Sequence, residues 1–340
     1  MKKKNPIRRV LASSLVCMGL GMSLSANAAE PKCEIDRPVT FGGMNWESNL
    51  LLVGVEQFIV EHGYGCKTHV EQGDTLPMFA ALQRGDVDIN SEVWQTQMQG
   101  PWDKAMAEGS IKPVGTVFTG VDGIYIPRYT AEKFPQLRRV ADLKGMAEHF
   151  TDAEEPGRGR VYSCAAGWTC ATLTRNQIRA HGLDGEYNAY SPGNAAAQRA
   201  AITSAYKRKR DVVFYYWTPT SLAGSLDLVK LELPPVDKKK TACIADPDCA
   251  NPQPSGFESY PVKTVVNSGF AEQAPTLVAF LAKVNVPDTD ISKILGRMDE
   301  EGLEIQEAAH LFLKEHGDTW RKWVPDDVAQ RVQAALDRQA

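Results

Sequence analysis

The chain has 340 residues, a formal net charge of −4 and 43% hydrophobic residues, which is an ordinary composition for a globular protein. The length is sufficient for two domains. The charge balance excludes a strongly basic protein of the kind that binds nucleic acid.

Residues 1–28 have the three parts of a secretory signal peptide. Basic residues open the segment, residues 10–24 are apolar, and Ala26-Asn27-Ala28 fits a cleavage site. Removing its five basic residues from 38 leaves 33, against 42 acidic residues, a net charge of −9. We therefore expect a mature protein that is exported to a bacterial periplasm, spans no membrane and binds no nucleic acid.

Six of the seven cysteines remain after the segment that contains Cys17 is removed. An even number of cysteines in an exported chain indicates disulfides, although many pairings are open. Local spacing favours two short bridges and leaves a third pair: Cys164–Cys170, Cys243–Cys249 and Cys33–Cys66. A zinc site is the weaker alternative, because only His62 and His69 lie near a cysteine. We expect no metal and no cofactor.

The first part of the chain alternates strand and helix patterns. Residues 38–43 predict a strand that enters a Gly-rich turn, residues 50–62 a helix, and residues 67–71 a second strand. A helix at 76–84 then precedes a strand at 86–93. This order is typical of α/β architecture.

Two stretches repeat the order helix, strand, tryptophan. The strand at 86–93 ends at Trp94; a helix at 195–210 precedes a strand at 211–216, which ends at Trp217. In open α/β sheets ligands bind beyond the carboxyl ends of strands, where both tryptophans fall. The alternative is that both tryptophans are buried in the core. The polar residues that follow each of them in the sequence fit this alternative less well.

The remaining patterns predict a two-lobed molecule. Residues 116–128 and 262–266 are strand-like and suit two crossovers between lobes, with 33–125 plus 262–340 in one lobe and 126–261 in the other. We expect a short helical connection at 131–143 and a long loop at 241–260. From residue 271 onward the chain is predicted to be helical.

The segment from Cys164 to Cys170 precedes a predicted helix at 171–180. Thr169 and Cys170 therefore lie at a helix N-terminus, which favours an anion, and Trp168 beside them offers a π-face to a cation. A small ligand with both charges would suit this place. The alternative is a structural disulfide turn with a core tryptophan.

The sequence contains no nucleotide-binding Gly-rich loop and no Gly-x-Ser-x-Gly elbow, and a nucleophilic Cys170 would need a free thiol. We therefore expect no enzyme. Aromatic residues at strand and helix ends instead suggest a cage for a quaternary ammonium group: Trp46, Trp94, Trp168 and Trp217, with Tyr125. Trp102, Trp320 and Trp323 lie on helical stretches and are expected to pack in the core.

These motifs resemble the glycine betaine/proline-betaine-binding proteins of the ProX type, periplasmic receptors of osmoprotectant ABC importers. The similar residues are Cys164-(x)5-Cys170 with Gly167-Trp168 inside, residues 213–219, and Glu92-Val-Trp94. The resemblance implies a two-lobed α/β periplasmic binding protein of type II with a ligand cleft between its lobes. It assigns the ammonium box to Trp94, Trp168 and Trp217, and the ligand carboxylate to the backbone amides of Thr169 and Cys170. It also implies a monomer that delivers its ligand to a permease in the inner membrane.

The chain departs from that family in two places. Met98 stands where the compared member has a carboxylate-binding histidine, so Gln95 or Gln97 could act as a neutral donor. Trp46 is additional and resembles an aromatic residue of choline-binding relatives. Glycine betaine, proline betaine, carnitine and choline all remain open as ligands, and the other classes are an enzyme acting on a quaternary amine and a structural exported protein.

Overall fold

The computed structural model describes residues 31–339, except for the side chain of Gln97. The predicted signal peptide at 1–28 lies outside these residues. The described part contains nine strands: β1 (Val39–Met44), β2 (Thr68–Gly73), β3 (Ile89–Val93), β4 (Ile111–Pro127), β5 (Gly159–Tyr162), β6 (Tyr187–Tyr190), β7 (Val213–Thr218), β8 (Leu228–Lys230) and β9 (Ser259–Asn267).

The helices include several single-turn pieces. The first seven are α1 (Glu47–Tyr64), α2 (Thr75–Arg84), α3 (Gln99–Glu108), α4 (Arg128–Lys133), α5 (Thr169–Ala180), α6 (Ala195–Lys207) and α7 (Ser221–Ser225). The others are α8 (Lys238–Ala245), α9 (Ser268–Gln273), α10 (Pro275–Leu281), α11 (Asp288–Glu301), α12 (Ile305–Glu315), α13 (Gly317–Trp320) and α14 (Asp326–Arg338). Short 3₁₀ turns cover Gln95–Met98, Val140–Leu143, Ala147–His149 and Arg321–Trp323.

All nine strands form one sheet with the order β2-β1-β3-β9-β4-β7-β5-β6, and β8 pairs with β4. Strands β1, β2 and β3 form a first parallel group, in which β1 pairs with both β2 and β3. Strands β5, β6 and β7 form a second parallel group, in which β5 pairs with both β6 and β7. Long antiparallel pairing of β4 with β9 joins the two groups. The strands that the sequence predicted as crossovers are therefore the central pair of the sheet.

The hydrophobic core lies in several clusters around this sheet. The largest one packs α1, α11, α12 and α14 against the first group of strands, and it contains the buried rings of Trp320 and Trp323. A second cluster gathers around β5, β7 and α5. Trp102 packs in a further cluster with Phe79, at a ring-centroid distance of 6.4 Å. The expectation that these three tryptophans pack in the core is confirmed.

Two sequence expectations about connections were only partly right. At 131–143 the chain forms the end of α4 and a 3₁₀ turn instead of one helix, because Pro135 interrupts the stretch. Within the loop expected at 241–260, the chain continues α8 to Ala245. The Asp237 carboxylate caps α8 by accepting from the backbone N–H groups of Lys239 and Lys240.

Between residues 31 and 339, three disulfides join the two pairs that local spacing favoured and the pair that this left over. Cys164–Cys170 and Cys243–Cys249 each close a segment with a sequence separation of 6, and Cys33–Cys66 joins the chain before β1 to the end of α1. The Cys164–Cys170 bridge fixes the turn immediately before α5. This turn forms one wall of the cavity described next.

Candidate functional site

A cavity of about 640 Å³ lies at the edge of the sheet where strands end and helices begin. Its wall includes four tryptophans that come from four separate places in the chain: Trp46, Trp94, Trp168 and Trp217. Cavities of this size at the carboxyl ends of strands are the usual ligand sites of open α/β sheets.

Local structure explains why each tryptophan reaches the cavity. Trp46 and Trp168 are the N-cap residues of α1 and α5, so each lies where a strand has ended and a helix starts. Trp94 follows β3 directly, and Trp217 lies in the last part of β7. Since β1 is parallel to β3 and β5 to β7, their carboxyl ends share an edge of each strand group.

The four rings form a partly open aromatic wall. The Trp168 ring meets Trp46 edge-on at 6.3 Å and Trp217 edge-on at 5.6 Å, both measured between ring centroids. Trp217 also stacks on Tyr216 at 4.7 Å. Trp94 packs edge-on against Phe118 and is 8% exposed, whereas the other three tryptophans are half-buried. All four rings line the cavity.

Glu92 connects two of these tryptophans. Its Oε1 accepts hydrogen bonds from Nε1 of Trp46 at 2.8 Å and from Nε1 of Trp94 at 2.9 Å, and Ser48 Oγ donates to its Oε2 at 2.9 Å. The side chain lines the cavity and is 1% exposed. Burial raises the pKa of Glu92 to about 7, although the three hydrogen bonds favour the ionised form.

Sequence reasoning did not assign a role to Glu92. The signal was present, because Glu92 precedes Trp94 by two residues and alternate side chains of a strand face the same side. Glu92 and Trp46, which are in contact, lie 46 residues apart in the chain. No spacing rule connects residues so far apart.

Thr169 and Cys170 also line the cavity, from the first turn of α5. A helix N-terminus carries the positive end of the helix dipole, and its first backbone N–H groups point away from the helix. Gly167, at φ 89°, makes the preceding turn that only a residue without a side chain adopts readily. The cavity therefore combines aromatic rings and a buried carboxylate with the electropositive end of a helix.

Asn90 is a second residue that sequence reasoning missed. It lines the cavity from β3 and is fully buried, and neither polar atom of its side chain has a hydrogen-bond partner among residues 31–339. Gly42 on β1 provides the space, because a Cβ there would lie 2.1 Å from Asn90 Oδ1. A buried amide with such unused capacity is suited to a polar group of a ligand.

The structure also gives the positions of three other residues that the sequence analysis discussed. Tyr125 does not line this cavity: it pairs with Phe214 across β4 and β7 and stacks on it at 6.2 Å, whereas Tyr215 and Trp217 face the other side of the sheet. Strand alternation is the physical reason for this error. Met98, in place of the expected histidine, is buried and lines the cavity. The side chain of Gln97 lies outside the described atoms.

Within the described part of the chain, no group of three or more His, Cys, Asp or Glu residues is arranged to hold a metal ion. No helix between residues 31 and 339 combines the length and the apolar character that crossing a membrane requires.

Comparison with known proteins finds similar proteins that match most of the chain. Residues 37–315 match the family model described as the substrate binding domain of ABC-type glycine betaine transport system. The chain is 24% identical to the trimethylamine N-oxide-binding protein of Pelagibacter ubique, over 91% of this chain and 96% of that protein. It is 26% identical to the glycine betaine/proline betaine-binding periplasmic protein of Escherichia coli, over 74% of this chain and 78% of that protein.

A solved structure shares the fold. The glycine/betaine/L-proline-binding protein (ProX) from Borrelia burgdorferi superimposes with a TM-score of 0.67 at 18% identity, covering 87% of this chain and all of that one. The mixed α/β fold is thus that of periplasmic binding proteins. The chain belongs to the family of substrate binding domains of ABC-type glycine betaine transport systems, and it is a substrate-binding protein of an ABC transporter and not an enzyme.

Proposed function

We propose that this protein captures glycine betaine, or a similarly small methylated ammonium compound, and delivers it to a membrane permease. The observation that carries the proposal is the meeting of four tryptophans and one buried carboxylate at a single cavity. Relatives named for glycine betaine and for trimethylamine N-oxide support the same class of ligand.

The aromatic wall suits a trimethylammonium group. Such a group has a diffuse positive charge and an apolar surface, and it has no N–H with which to donate a strong hydrogen bond. Aromatic faces match both properties, and each well-placed ring contributes about 0.5–2 kcal/mol. Three or four rings at Trp46, Trp94, Trp168 and Trp217 would supply a usable affinity for a small solute.

We assign the ligand carboxylate to the start of α5. Thr169 and Cys170 belong to the first turn, where the helix dipole attracts an anion by about 0.3–1 kcal/mol at an exposed site. A zwitterion could then place its cation between the rings and its anion at this helix end. Choline has no carboxylate and would lose the second interaction, so this arrangement favours a betaine.

We further propose two lobes that close around the ligand, with the boundaries expected from the sequence. Trp46 and Trp94 would belong to the lobe formed by 33–125 and 262–340, and Trp168 and Trp217 to the lobe formed by 126–261. The parallel strand groups on either side of β4 and β9 support this division. Because the complete cage would exist only on closure, the ligand would favour the closed state. We also propose cleavage after residue 28, a periplasmic location and a monomer that meets its permease at the inner membrane.

Isothermal titration against glycine betaine, trimethylamine N-oxide, carnitine, choline and the amino acid glycine tests this proposal. We expect binding of at least one methylated zwitterion, weaker binding of choline and no detectable binding of glycine. A preference for choline over every zwitterion would contradict the assignment to α5. Absence of binding to all methylated compounds would contradict the proposed function.

A further inference from the structure

One carboxylate holds two rings of the aromatic wall. Trp46 is placed at the start of α1 and Trp94 just beyond β3, and the two indole N–H groups donate to the same oxygen of Glu92. Ser48, on the first turn of α1, contacts both oxygens of that carboxylate at 3.1 and 2.9 Å. Glu92 therefore connects a helix, a strand and two walls of the cavity at one point.

We propose that Glu92 is a positioning residue that fixes the planes of Trp46 and Trp94, and that its negative charge makes the site selective for a permanently cationic, fully methylated head group. This inference rests on the proposed function. It assigns to Glu92 a role in specificity that acts through the two indole rings.

The positioning part follows from the geometry of the hydrogen bonds. An indole has a single N–H donor, at one edge of the ring, so binding that N–H to a fixed oxygen restricts the rotation of the whole ring. Glu92 is itself fixed, because it is buried on β3 and Ser48 holds its carboxylate. Without this anchor, the half-buried Trp46 could turn its face away from the cavity.

The charge part follows from the direction in which the rings are polarised. An aromatic ring is negative at its faces and positive at its edge, and a cation binds to the face. A carboxylate at the N–H edge of two indoles draws the proton and increases the electron density of both rings. Its charge also attracts the ligand directly, and in a buried site this attraction is screened less than in water.

The same arrangement disfavours protonated amines. A primary ammonium needs hydrogen-bond acceptors when it leaves water. Glu92 Oε1 already receives Trp46 and Trp94, and Oε2 receives Ser48, which leaves one lone pair of this carboxylate for the three N–H groups of a primary ammonium. A fully methylated ammonium has no such need, so it gains the electrostatic attraction without leaving an unpaired donor.

The test compares each ligand with an analogue in which a quaternary carbon replaces the ammonium nitrogen. For glycine betaine this analogue is 3,3-dimethylbutanoate, which keeps the carboxylate, and for trimethylamine N-oxide it is tert-butanol. Titration of both members of a pair, at a pH at which the Glu92 carboxylate is ionised, gives the discrimination between cation and isostere. We expect Glu92→Gln to weaken binding of the methylated ammonium about tenfold while changing binding of the isostere much less. Glu92→Asp, which keeps the charge but cannot reach both indoles, should retain more of the discrimination than Glu92→Gln.

The matched control is Glu56→Gln. Glu56 is a fully buried glutamate on α1 whose carboxylate accepts from Ser91, the residue before Glu92, and it does not line the cavity. We expect this variant to keep both the affinity and the discrimination of the parent. Circular dichroism on all variants verifies that they fold.

The outcomes separate this inference from the proposed function. If the parent binds a methylated zwitterion and Glu92→Gln loses affinity for cation and isostere by the same factor, the selectivity role is overturned and Glu92 only supports the fold. Equal binding of the methylated ligand by the parent, Glu92→Gln and Glu92→Asp overturns the positioning role as well. If the parent binds no methylated compound, the proposed function fails and this inference fails with it.

Discussion

At the scale of single residues, the tryptophans of the cavity are oriented by contacts with neighbouring side chains. Trp217 stacks on Tyr216 at 4.7 Å within its own strand and meets Trp168 edge-on at 5.6 Å. The ring is thus oriented by its neighbours while it lines the cavity. Trp94 and Trp46 are oriented in a different way, through their N–H groups.

Replacing Trp217 with alanine should weaken binding of the methylated ligand about tenfold, from the lost cation–π contact and the cavity that the ring leaves. Trp217→Phe should be milder, because it keeps an aromatic face. Trp102→Phe is the control, since Trp102 packs against Phe79 and does not line the cavity. Titration calorimetry measures all three, and parental affinity in Trp217→Ala would remove this ring from the cage.

A buried carboxylate on α1 gives a prediction about pH. Burial raises the pKa of Glu56 from 4.5 to about 8, with the hydrogen bond from Ser91 acting in the opposite direction. The folded state therefore holds this proton more strongly than the unfolded chain. The stability from Glu56 is fully present below pH 4.5 and is lost as the pH rises through about 8.

The free energy of unfolding should accordingly fall less between about pH 5 and about pH 9 in Glu56→Gln than in the parent, because glutamine does not ionise. Urea unfolding at several pH values measures this difference. Glu61→Gln, at an exposed position of the same helix, should follow the parent. Identical pH dependence in the parent and in Glu56→Gln would contradict a raised pKa.

At the scale of elements, the close approach of β4 to Trp94 decides where this ring lies. The Trp94 ring packs on Gly120 of β4 so closely that a Cβ there would lie 2.3 Å from two ring atoms. Because Gly120 on β4 has no side chain, there is room for the ring of Trp94, which follows β3.

Gly120→Ala should displace the Trp94 ring, weaken its hydrogen bond to Glu92 and reduce ligand affinity about tenfold. Gly100→Ala in α3 is the matched control, because a Cβ there meets nothing within 4 Å. We expect the control to bind as the parent does. Titration together with the near-ultraviolet dichroism of the tryptophans checks both effects, and an unchanged affinity in Gly120→Ala would show that the ring position is not critical.

At the scale of the whole molecule, one arginine joins the two proposed lobes. Arg199 on α6 donates to the carboxylates of Glu47 on α1 and, at 2.8 Å, of Asp299 on α11. Its two acidic partners lie in the proposed lobe that contains Trp46, whereas α6 lies in the other proposed lobe. If closure brings these charges together, the ion pair stabilises the ligand-bound state.

Arg199→Gln should therefore weaken ligand binding about threefold, a modest change because the pair is partly exposed. Arg297→Gln is the control: Arg297 pairs with Glu301 and Glu315, and all three lie in the same proposed lobe. Small-angle scattering with and without ligand, alongside titration, follows closure directly. Equal affinity in the two variants would contradict a contribution of Arg199 to closure.

The sequence by itself determined the features that depend on local pattern. Strand and helix periodicity gave the α/β class, short spacing favoured the disulfides Cys164–Cys170 and Cys243–Cys249, and the ends of strands indicated Trp94 and Trp217. These features are readable because neighbours in the chain create them, through alternation, capping and turns.

Only the tertiary structure decided which residues share the cavity. Glu92 meets Trp46 across 46 positions of the chain, Gly120 makes room for Trp94 from another strand, and Tyr125 turns to the opposite face of the sheet. Such contacts depend on strand order and register, which one sequence does not encode in any local pattern. For this reason the aromatic residues were recognised individually, while the carboxylate that holds two of them together was not.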